Sequence, residues 1–275
     1  MLSLKGSGFT VHGSGFKSDF PVSLYPIPYT LILSCLLFLC AFSLPALAYD
    51  KNELAELNDM YKNGKYQEAL DGYLKMTQSE SENPYTFYNA GNAYFRLNRP
   101  GFAVLYYAKA FKLLPRDPDM RANLDYALKQ TGQALVPDGV PKALHYVYYL
   151  LSDLELKALA IIFFWLACFA GALRALAGEK LKEELKTAPY ATAAACLFFL
   201  LWIGVRDSSP FTNGAVAAAP ATLLSGPGEK FKANATLPEA RLVKILDEGD
   251  EEYYEIGLPG EGIKGWVKKT DLQKI

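Results

Sequence analysis

Side chains that could carry out catalysis are few in this 275-residue chain. Its two histidines are His12, which lies in a glycine- and serine-rich start, and His145, which lies in an aromatic segment. Neither histidine has cysteine or serine–aspartate partners that predict a nucleophilic site, and the two GSGF patterns of the start do not have the form of a phosphate-binding loop. We therefore expect no enzyme, no catalytic residue and no cofactor.

The strongest acidic cluster lies in residues 247–255, which carry six carboxylates around Gly249. The ligand spacing of a calcium-binding EF-hand loop is absent, and an acidic turn that contains glycine is typical of an exposed hairpin tip. We therefore predict no metal site. The net charge of −1 gives no general attraction to nucleic acid, so we predict no nucleic-acid partner either.

Asparagine and aromatic side chains form the other chemically distinctive set, and their positions follow an internal repeat. From residue 50 onward the chain matches itself with a shift of 34 residues. The matched pairs are Met60 with Tyr94, Ala69 with Ala103, Tyr73 with Tyr107, and Met76 with Ala110. A period of 34 residues is typical of tetratricopeptide repeats, in which each repeat is a pair of helices.

The second copy resembles the tetratricopeptide repeat more closely than the first. Gly91 allows close helix contact, Ala103 is predicted where the two helices cross, and Pro115 closes the unit. The first copy has Leu57 in place of the close-packing glycine, so we expect its first helix to lie further from its partner. A third copy stops after one helix, DPDMRANLDYALKQTG, which we predict covers the apolar face of the second repeat.

Resemblance to these repeats implies an inner face that binds an extended peptide. Its predicted residues are Asn58, Tyr61, Lys62, Tyr85, Tyr88, Asn89, Asn92, Phe95, Arg96, Asn123 and Tyr126. Asparagine amides can pair with a peptide backbone, and aromatic rings supply rigid contact area. We expect no packing role for the short amides. For the tyrosines, the alternative to peptide binding is packing between repeats. A carboxylate clamp needs basic residues at positions where this chain has Leu54, Asp119 and Asn123, which argues against such a clamp.

Two apolar runs, residues 158–173 and 191–205, flank a charged loop. With its flanks each run approaches the ~20 residues that a helix needs to cross a bilayer, which predicts a transmembrane hairpin. The loop of residues 174–186 is rich in lysine and arginine, so it is predicted to be cytoplasmic, and the soluble parts lie on the outer side. The alternative is a buried hairpin of a soluble protein, although neither run has the polar face expected there.

Residues 141–151, PKALHYVYYLL, form an aromatic segment before the hairpin. We predict that this segment supports the short helical array and lies at the membrane interface, where membrane lipid contacts it. Ser152 and Glu155 then form a capping box that starts the first membrane helix.

The amino-terminal region is predicted to contain no folded domain. Its first 28 residues are rich in Gly, Ser and Pro, and an apolar segment follows them. The apolar segment ends in Pro45 and the small-x-small triplet Ala46, Leu47 and Ala48, which predicts a secretory signal cleaved before Tyr49. An uncleaved anchor is the alternative, and both place the next domain on the outer side of the membrane.

From Ala215 the pattern changes to short β-rich runs broken by Gly and Pro. These runs resemble bacterial SH3-like domains through Ser225, Gly226 and Pro227, then Val243 and Ile245, and finally Gly265, Trp266 and Val267. Tyr254 replaces the usual tryptophan, and Ala240 replaces a glycine ahead of the strand. In the strand that contains Tyr254 we expect Tyr254, Ile256 and Leu258 to face inward and Tyr253, Glu255 and Gly257 to face outward.

The predicted fold class is a multi-domain chain with an α-helical tetratricopeptide solenoid, a two-helix transmembrane hairpin and a small all-β SH3-like barrel. The predicted boundaries are 1–48 for the start and signal, 49–135 for the repeats with their capping helix, 136–153 for the interfacial connector, 154–206 for the hairpin, 207–214 for a polar linker and 215–275 for the SH3-like domain.

This order of modules from Tyr49 to Ile275, including the RANLDYA helix, resembles the BatE family of bacterial aerotolerance operons. The resemblance implies a non-enzymatic inner-membrane adaptor with periplasmic domains. It also implies partners among membrane proteins with von Willebrand type A domains and a MoxR-type ATPase complex. The alternative is a cell-wall sensing or targeting protein whose SH3-like domain binds peptidoglycan peptides.

Overall fold

A computed structural model describes residues 51–79, 83–211 and 214–275. The predicted unfolded start, the signal segment and its cleavage site lie outside these residues. The described part is a mixed helix and sheet protein, with helices first and an antiparallel sheet at the end. These elements belong to one compact unit.

The first part of the described chain consists of helices α1 (Lys51–Lys62), α2 (Tyr66–Ser79), α3 (Pro84–Arg96), α4 (Pro100–Leu113) and α5 (Pro118–Gln130). Each of the last three begins with a proline, whose missing N–H is no loss in the first turn of a helix. Asn83 caps α3 by accepting a hydrogen bond from the Tyr85 N–H at 2.9 Å, and Asp117 caps α5 in the same way.

Successive helices pack as two pairs plus a closing helix, in agreement with the 34-residue period. Ala69 in α2 and Ala103 in α4 are both completely buried, as their predicted positions at helix crossings require. Leu124 and Leu128 of α5 are also completely buried, so this helix covers the apolar side of the second pair.

The two pairs differ in how closely their helices pack and in which helix carries the glycine. Helices α1 and α2 pack less closely than α3 and α4, as predicted from Leu57. In the second pair Gly91 of α3 lies under the Tyr107 ring, and a Cβ there would come within 2.7 Å of it. In the first pair the glycine is on the other helix: a Cβ on Gly72 of α2 would lie 2.2 Å from Leu57 of α1. The glycine that the first helix lacks is therefore replaced by one on its partner.

The middle of the chain contains α6 (Lys142–Tyr148), α7 (Asp153–Leu176), α8 (Glu179–Glu184) and α9 (Ala188–Arg206). The predicted capping box at the start of α7 is confirmed, with both reciprocal hydrogen bonds between Ser152 and Glu155 present. Helices α7 and α9 pack together, with the Phe163 and Phe199 rings stacked 5.5 Å apart.

Two helical stretches in the described part are long and apolar enough to cross a membrane. They are Asp153–Leu176 and Glu179–Arg206, with mean hydropathies of 2.2 and 1.8. Only 11% and 6% of these segments are buried inside the protein, in contrast to the core helices of a soluble domain. Their outer surfaces instead expose large apolar side chains such as Phe164, Phe169, Leu197 and Leu201.

The sheet contains β1 (Gly214–Ala217), β2 (Ala221–Leu224), β3 (Ala233–Leu237), β4 (Leu242–Asp247), β5 (Tyr253–Gly257), β6 (Lys264–Lys268) and β7 (Leu272–Lys274). Its strands are antiparallel and follow the order β3-β2-β6-β5-β4-β1-β7. Val243, Ile245, Ile256 and Val267 lie in its core. Ala240, where the SH3-like pattern has a glycine, adopts a φ of 65° in the left-handed region that favours glycine.

The outward position predicted for Tyr253 is wrong, because this side chain is only 3% exposed. Side chains alternate along a strand, so Tyr253 and the buried Ile256 lie on opposite faces of β5, and both faces of the sheet are covered there. Tyr254 is half-buried, and the ammonium groups of Lys269 and Lys274 lie 4.9 and 5.1 Å from its ring centre.

The sheet packs on the helices along the whole length of α4. At the start of α4, whose own Arg99 supplies no side-chain cap, Glu239 accepts a hydrogen bond from the Gly101 N–H at 2.9 Å. Near its end, Lys112 donates to the Ile275 carbonyl at 3.1 Å. An acidic group near a helix N-terminus is also favoured by the helix dipole.

The segment predicted as a polar linker, 207–214, is packed rather than loose where it is described. Ser209 and Phe211 are each 5% exposed, and Tyr149 and Ser209 share a hydrogen bond of 2.5 Å. Phe211 packs against Phe111 and Tyr149, with ring centres 5.2 and 5.8 Å away. Val216 and Leu242 of the sheet also join the hydrophobic core of the helices, while the sheet keeps a second core of its own.

Replacing Gly101 by alanine should disrupt this docking. A Cβ there would lie 2.8 Å from the Ala218 carbonyl oxygen, so we expect the free energy of unfolding to fall by about 1 to 3 kcal/mol. Urea unfolding of the full chain in detergent measures this change. Gly178→Ala is the control, because nothing lies within 4 Å of the added methyl group. Equal stability of the two variants would contradict the tight contact between α4 and the sheet.

Candidate peptide-binding groove and a neighbouring cleft

Four asparagines and two tyrosines form a hydrogen-bonded ladder that repeats with the period of the helices. The Asn58 Oδ1 accepts bonds from the Tyr73 hydroxyl and the Asn89 Nδ2, both at 2.8 Å. The same three groups recur 34 positions later: the Asn92 Oδ1 accepts from the Tyr107 hydroxyl at 2.7 Å and from the Asn123 Nδ2 at 3.0 Å. The ladder thereby ties α1 to α2 and α3, and α3 to α4 and α5.

The expectation that the short amides have no packing role is wrong. Each of them joins neighbouring helices, because a tyrosine from the second helix of each pair reaches the inner face. Tyr73 and Tyr107 were missing from the predicted site, although their 34-residue spacing in the sequence pointed to them. Burial raises the pKa of both hydroxyl groups, so they remain protonated donors at physiological pH.

Part of each ladder amide remains available for a ligand. Within the described residues, the Asn58 Nδ2 and the Asn89 Oδ1 make no hydrogen bond to the protein, and both residues are half-buried. An amide offers donors and an acceptor, and the ladder uses only one kind of atom in each of these two side chains. The unused donor and acceptor are the pair that an extended peptide backbone requires.

Aromatic side chains follow the ladder asparagines by three positions, so they lie one helical turn away on the same face: Tyr61 after Asn58, Phe95 after Asn92 and Tyr126 after Asn123. The Tyr61 and Tyr66 rings meet edge to face at 5.1 Å, and the Arg96 Nε donates to the Tyr61 hydroxyl at 3.4 Å. Phe95 and Tyr126 meet edge to face at 5.7 Å, and 55% of Tyr126 is exposed. The groove thus has a row of amides with a row of aromatic groups beside it.

Most of the predicted residues come together in this groove. The Tyr88 hydroxyl joins the ladder by accepting from the Asn123 Nδ2 at 2.9 Å. Lys62 is exposed and pairs with Asp59 of its own helix at 2.9 Å, and 47% of Tyr85 is exposed near the start of α3. No contact joins Lys62 or Tyr85 to the ladder within the described residues.

A cleft of about 750 Å³ lies where α6, the loop before it and the sheet meet. Its apolar lining includes Leu135, Leu144, Tyr149, Phe211 and Leu242. The Gln133 amide holds this junction together, since it donates to the Ala240 carbonyl at 2.8 Å and accepts from the Leu242 N–H at 2.9 Å.

His145 lies in the wall of this cleft and is 6% exposed. Its Nδ1 is 3.4 Å from the Arg121 Nη2, and the Arg121 guanidinium is 5.3 Å from the Tyr146 ring centre and 5.4 Å from that of Phe111. Burial first, and then the charge of Arg121, lowers the pKa of His145 to about 4. The imidazole is therefore neutral at physiological pH, and Arg121 donates to it.

Comparison with known proteins assigns no function to the groove or to the cleft, since no family model and no curated protein matches the chain. Within the described residues, no group of three or more His, Cys, Asp or Glu side chains is placed to hold a metal ion. The geometry of the groove is therefore the feature from which a function can be inferred.

The ladder predicts that the two asparagines of adjacent turns in α3 differ in their effect on stability. Asn92→Ala leaves both the Tyr107 hydroxyl and the Asn123 amide without their acceptor, and we expect a loss of about 1 to 3 kcal/mol. Asn89→Ala removes one bond and should cost about 0.5 to 1.5 kcal/mol. Thermal unfolding of both variants provides the comparison. A larger loss for Asn89→Ala would contradict the ladder.

Acidification should destabilise the protein through His145. In the unfolded chain this histidine binds a proton below about pH 6.5, whereas in the folded chain it does so only near pH 4. The contribution of the neutral His145 to the free energy of unfolding is therefore fully present above pH 6.5. It is lost as the pH drops toward 4, which lowers the free energy of unfolding by about 1 to 3 kcal/mol.

The difference between wild type and His145→Gln isolates this contribution from that of the carboxylates. Urea unfolding between pH 4 and 7 should show that the variant loses less stability on acidification. Parallel pH profiles for the two proteins would show that His145 titrates normally in the folded chain.

Proposed function

We propose that this chain is a non-enzymatic, membrane-anchored adaptor that binds an extended segment of a partner protein. In this proposal the helix pairs are tetratricopeptide repeats, the sheet is an SH3-like barrel, and the groove of α1, α3 and α5 is the binding site. One observation carries it: the amide ladder leaves a donor on Asn58 and an acceptor on Asn89, beside a row of aromatic groups one helical turn away. Such a groove matches a peptide backbone and its side chains.

The groove is also accessible, because the sheet packs elsewhere. Contacts of the sheet fall on α4, through Gly101 and Lys112, and on the loop after α5, through Gln133. Tyr126, on the groove side of α5, keeps 55% of its surface exposed. A ligand could therefore reach the ladder without displacing the sheet.

The apolar hairpin supports the anchoring part of the proposal. We propose that α7 and α9 cross the bacterial inner membrane, with α8 and its basic neighbours in the cytoplasm and the other elements in the periplasm. Lys180, Lys182 and Lys186 near α8 agree with the positive-inside rule. The groove would then meet periplasmic partners.

The order of the modules supports a partner class. As in the BatE family that the chain resembles, we propose that the groove binds a segment of a membrane protein with a von Willebrand type A domain. Together with a MoxR-type ATPase complex, such proteins would form an aerotolerance assembly. The second candidate, recognition of peptidoglycan peptides by the sheet, is an outcome that the experiment below distinguishes.

Replacing Tyr126 by alanine should weaken partner binding without unfolding the chain. Removing an exposed aromatic contact at a groove typically costs about 1 to 2 kcal/mol, which is about 5- to 30-fold in affinity. After crosslinking in native membranes, mass spectrometry should show that the variant recovers correspondingly less von Willebrand type A protein than the wild type.

Phe231→Ala is the matched control, because Phe231 is an aromatic residue of the loop between β2 and β3 that is 37% exposed. We expect its recovery of the same protein to equal that of the wild type. If Phe231→Ala abolishes recovery while Tyr126→Ala does not, the groove is not the binding site. Loss of crosslinked cell-wall peptides in Phe231→Ala alone would favour the sheet-centred function.

A further inference from the structure

We propose that α6 lies in the outer face of the bilayer, with Leu144 and Val147 inserted among the lipids. The outer face is the one on which the groove and the sheet lie. This inference rests on the proposed membrane anchoring and adds a second, interfacial contact between the protein and lipid.

The two sides of α6 differ in what they contact. His145 and Tyr149, on one side, are 6% and 5% exposed and pack against the helices and Phe211. Leu144 and Val147 are three positions apart and are 60% and 50% exposed, and Leu144 also lies at the edge of the cleft described above. The exposed face of α6 is therefore apolar at these two positions, whereas a helix on the surface of a soluble protein exposes a polar face.

Direct bonds hold α6 and the residues after it to the end of α9. The Tyr148 hydroxyl donates to the Val205 carbonyl at 3.1 Å, near the end of α9. The Arg206 guanidinium donates to the Tyr148 carbonyl at 3.3 Å and to the Leu151 carbonyl at 2.8 Å. Helix α6 therefore cannot move away from the level at which the hairpin leaves the bilayer.

Apolar exposure continues from α6 onto the hairpin. Val205 at the end of α9 is 58% exposed, and Leu154 at the start of α7 is 70% exposed. These side chains adjoin the surface that α7 and α9 present to lipid, so one apolar region extends from the hairpin to the exposed face of α6. Continuity with the membrane-spanning surface favours lipid as the occupant over a protein partner.

Polar groups at the rim of this region suit the headgroup layer. The Tyr148 ring lies over the Arg206 guanidinium, 5.7 Å from its carbon, with the hydroxyl directed to the backbone. Lys142 at the start of α6 is exposed and can reach phosphates. Tyrosine and lysine are common where a protein enters the headgroup layer, whereas Leu144 and Val147 are suited to the acyl chains.

Site-directed spin labelling of the full chain tests this placement. The native cysteines are replaced by serine, and single cysteines are introduced at Val147, at Phe164 in α7 and at Ala55 on the exposed side of α1. The labelled proteins are placed in phosphatidylcholine nanodiscs. Collision rates with oxygen, which concentrates in lipid, are compared with those of a water-soluble nickel chelate.

We expect the ratio of oxygen to nickel collisions at Val147 to be several-fold higher than at Ala55 and to approach that at Phe164. An aqueous ratio at Val147 with a lipid ratio at Phe164 would overturn the interfacial placement and leave the anchoring intact. An aqueous ratio at Phe164 as well would overturn the anchoring itself. Low collision rates with both reagents at Val147 would mean that protein, not lipid, covers this face.

A paired substitution supplies an independent measurement. In the same background, Leu144→Asn combined with Val147→Asn should reduce the interfacial contact, and a label at Tyr146 should then report several-fold more nickel collisions than it does without the two changes. Exposed positions tolerate polar residues, so the melting curve should remain unchanged. An unchanged nickel collision rate at Tyr146 would count against lipid contact at this face.

Discussion

The buried guanidinium of Arg206 is the interaction on which the arrangement of the other parts depends. It forms an ion pair of 2.7 Å with Asp153, bonds the carbonyls of Tyr148 and Leu151, and lies 4.8 Å from the Tyr149 ring centre. A buried charge costs several kcal/mol unless such partners surround it. Because those partners come from α6, α7 and their connection, one side chain at the end of α9 fixes the hairpin to the folded unit outside it.

A second constraint is the small size of the helical array. Two helix pairs and a closing helix bury little apolar surface alone, since solenoid stability is a sum over neighbouring repeats. The sheet supplies the missing contact: Val216 and Leu242 join the same hydrophobic core as Phe111 and Tyr107. The helices and sheet should therefore unfold together. This arrangement also leaves the opposite, amide-lined side of the helices available for a ligand.

Local patterns predicted the elements better than their contacts. The 34-residue period, the capping box at Ser152 and the two apolar runs each depend on residues close in sequence, and each has its counterpart in the structure. The 34-residue spacing points to Tyr73 and Tyr107, but it does not show that Tyr73 bonds Asn58, because that contact depends on helix packing. The bond that Gln133 accepts from the Leu242 N–H of β4 depends in the same way on packing of the sheet against the helices. Burial of Phe211 escaped prediction for the same reason, because Phe111 and Tyr149, which are distant in sequence, cover it.

The close-packing glycine lies on the second helix of the first pair and on the first helix of the second pair, so the two pairs tolerate different substitutions. Gly72 faces Leu57 in one pair, whereas Gly91 faces Tyr107 in the other. Tyr106 of α4 stands 34 positions after Gly72, so a chain that joined α1 to α4 would place Leu57 against a tyrosine instead of a glycine. A change of side-chain size at position 57 therefore has to be matched at position 72 of its own partner helix.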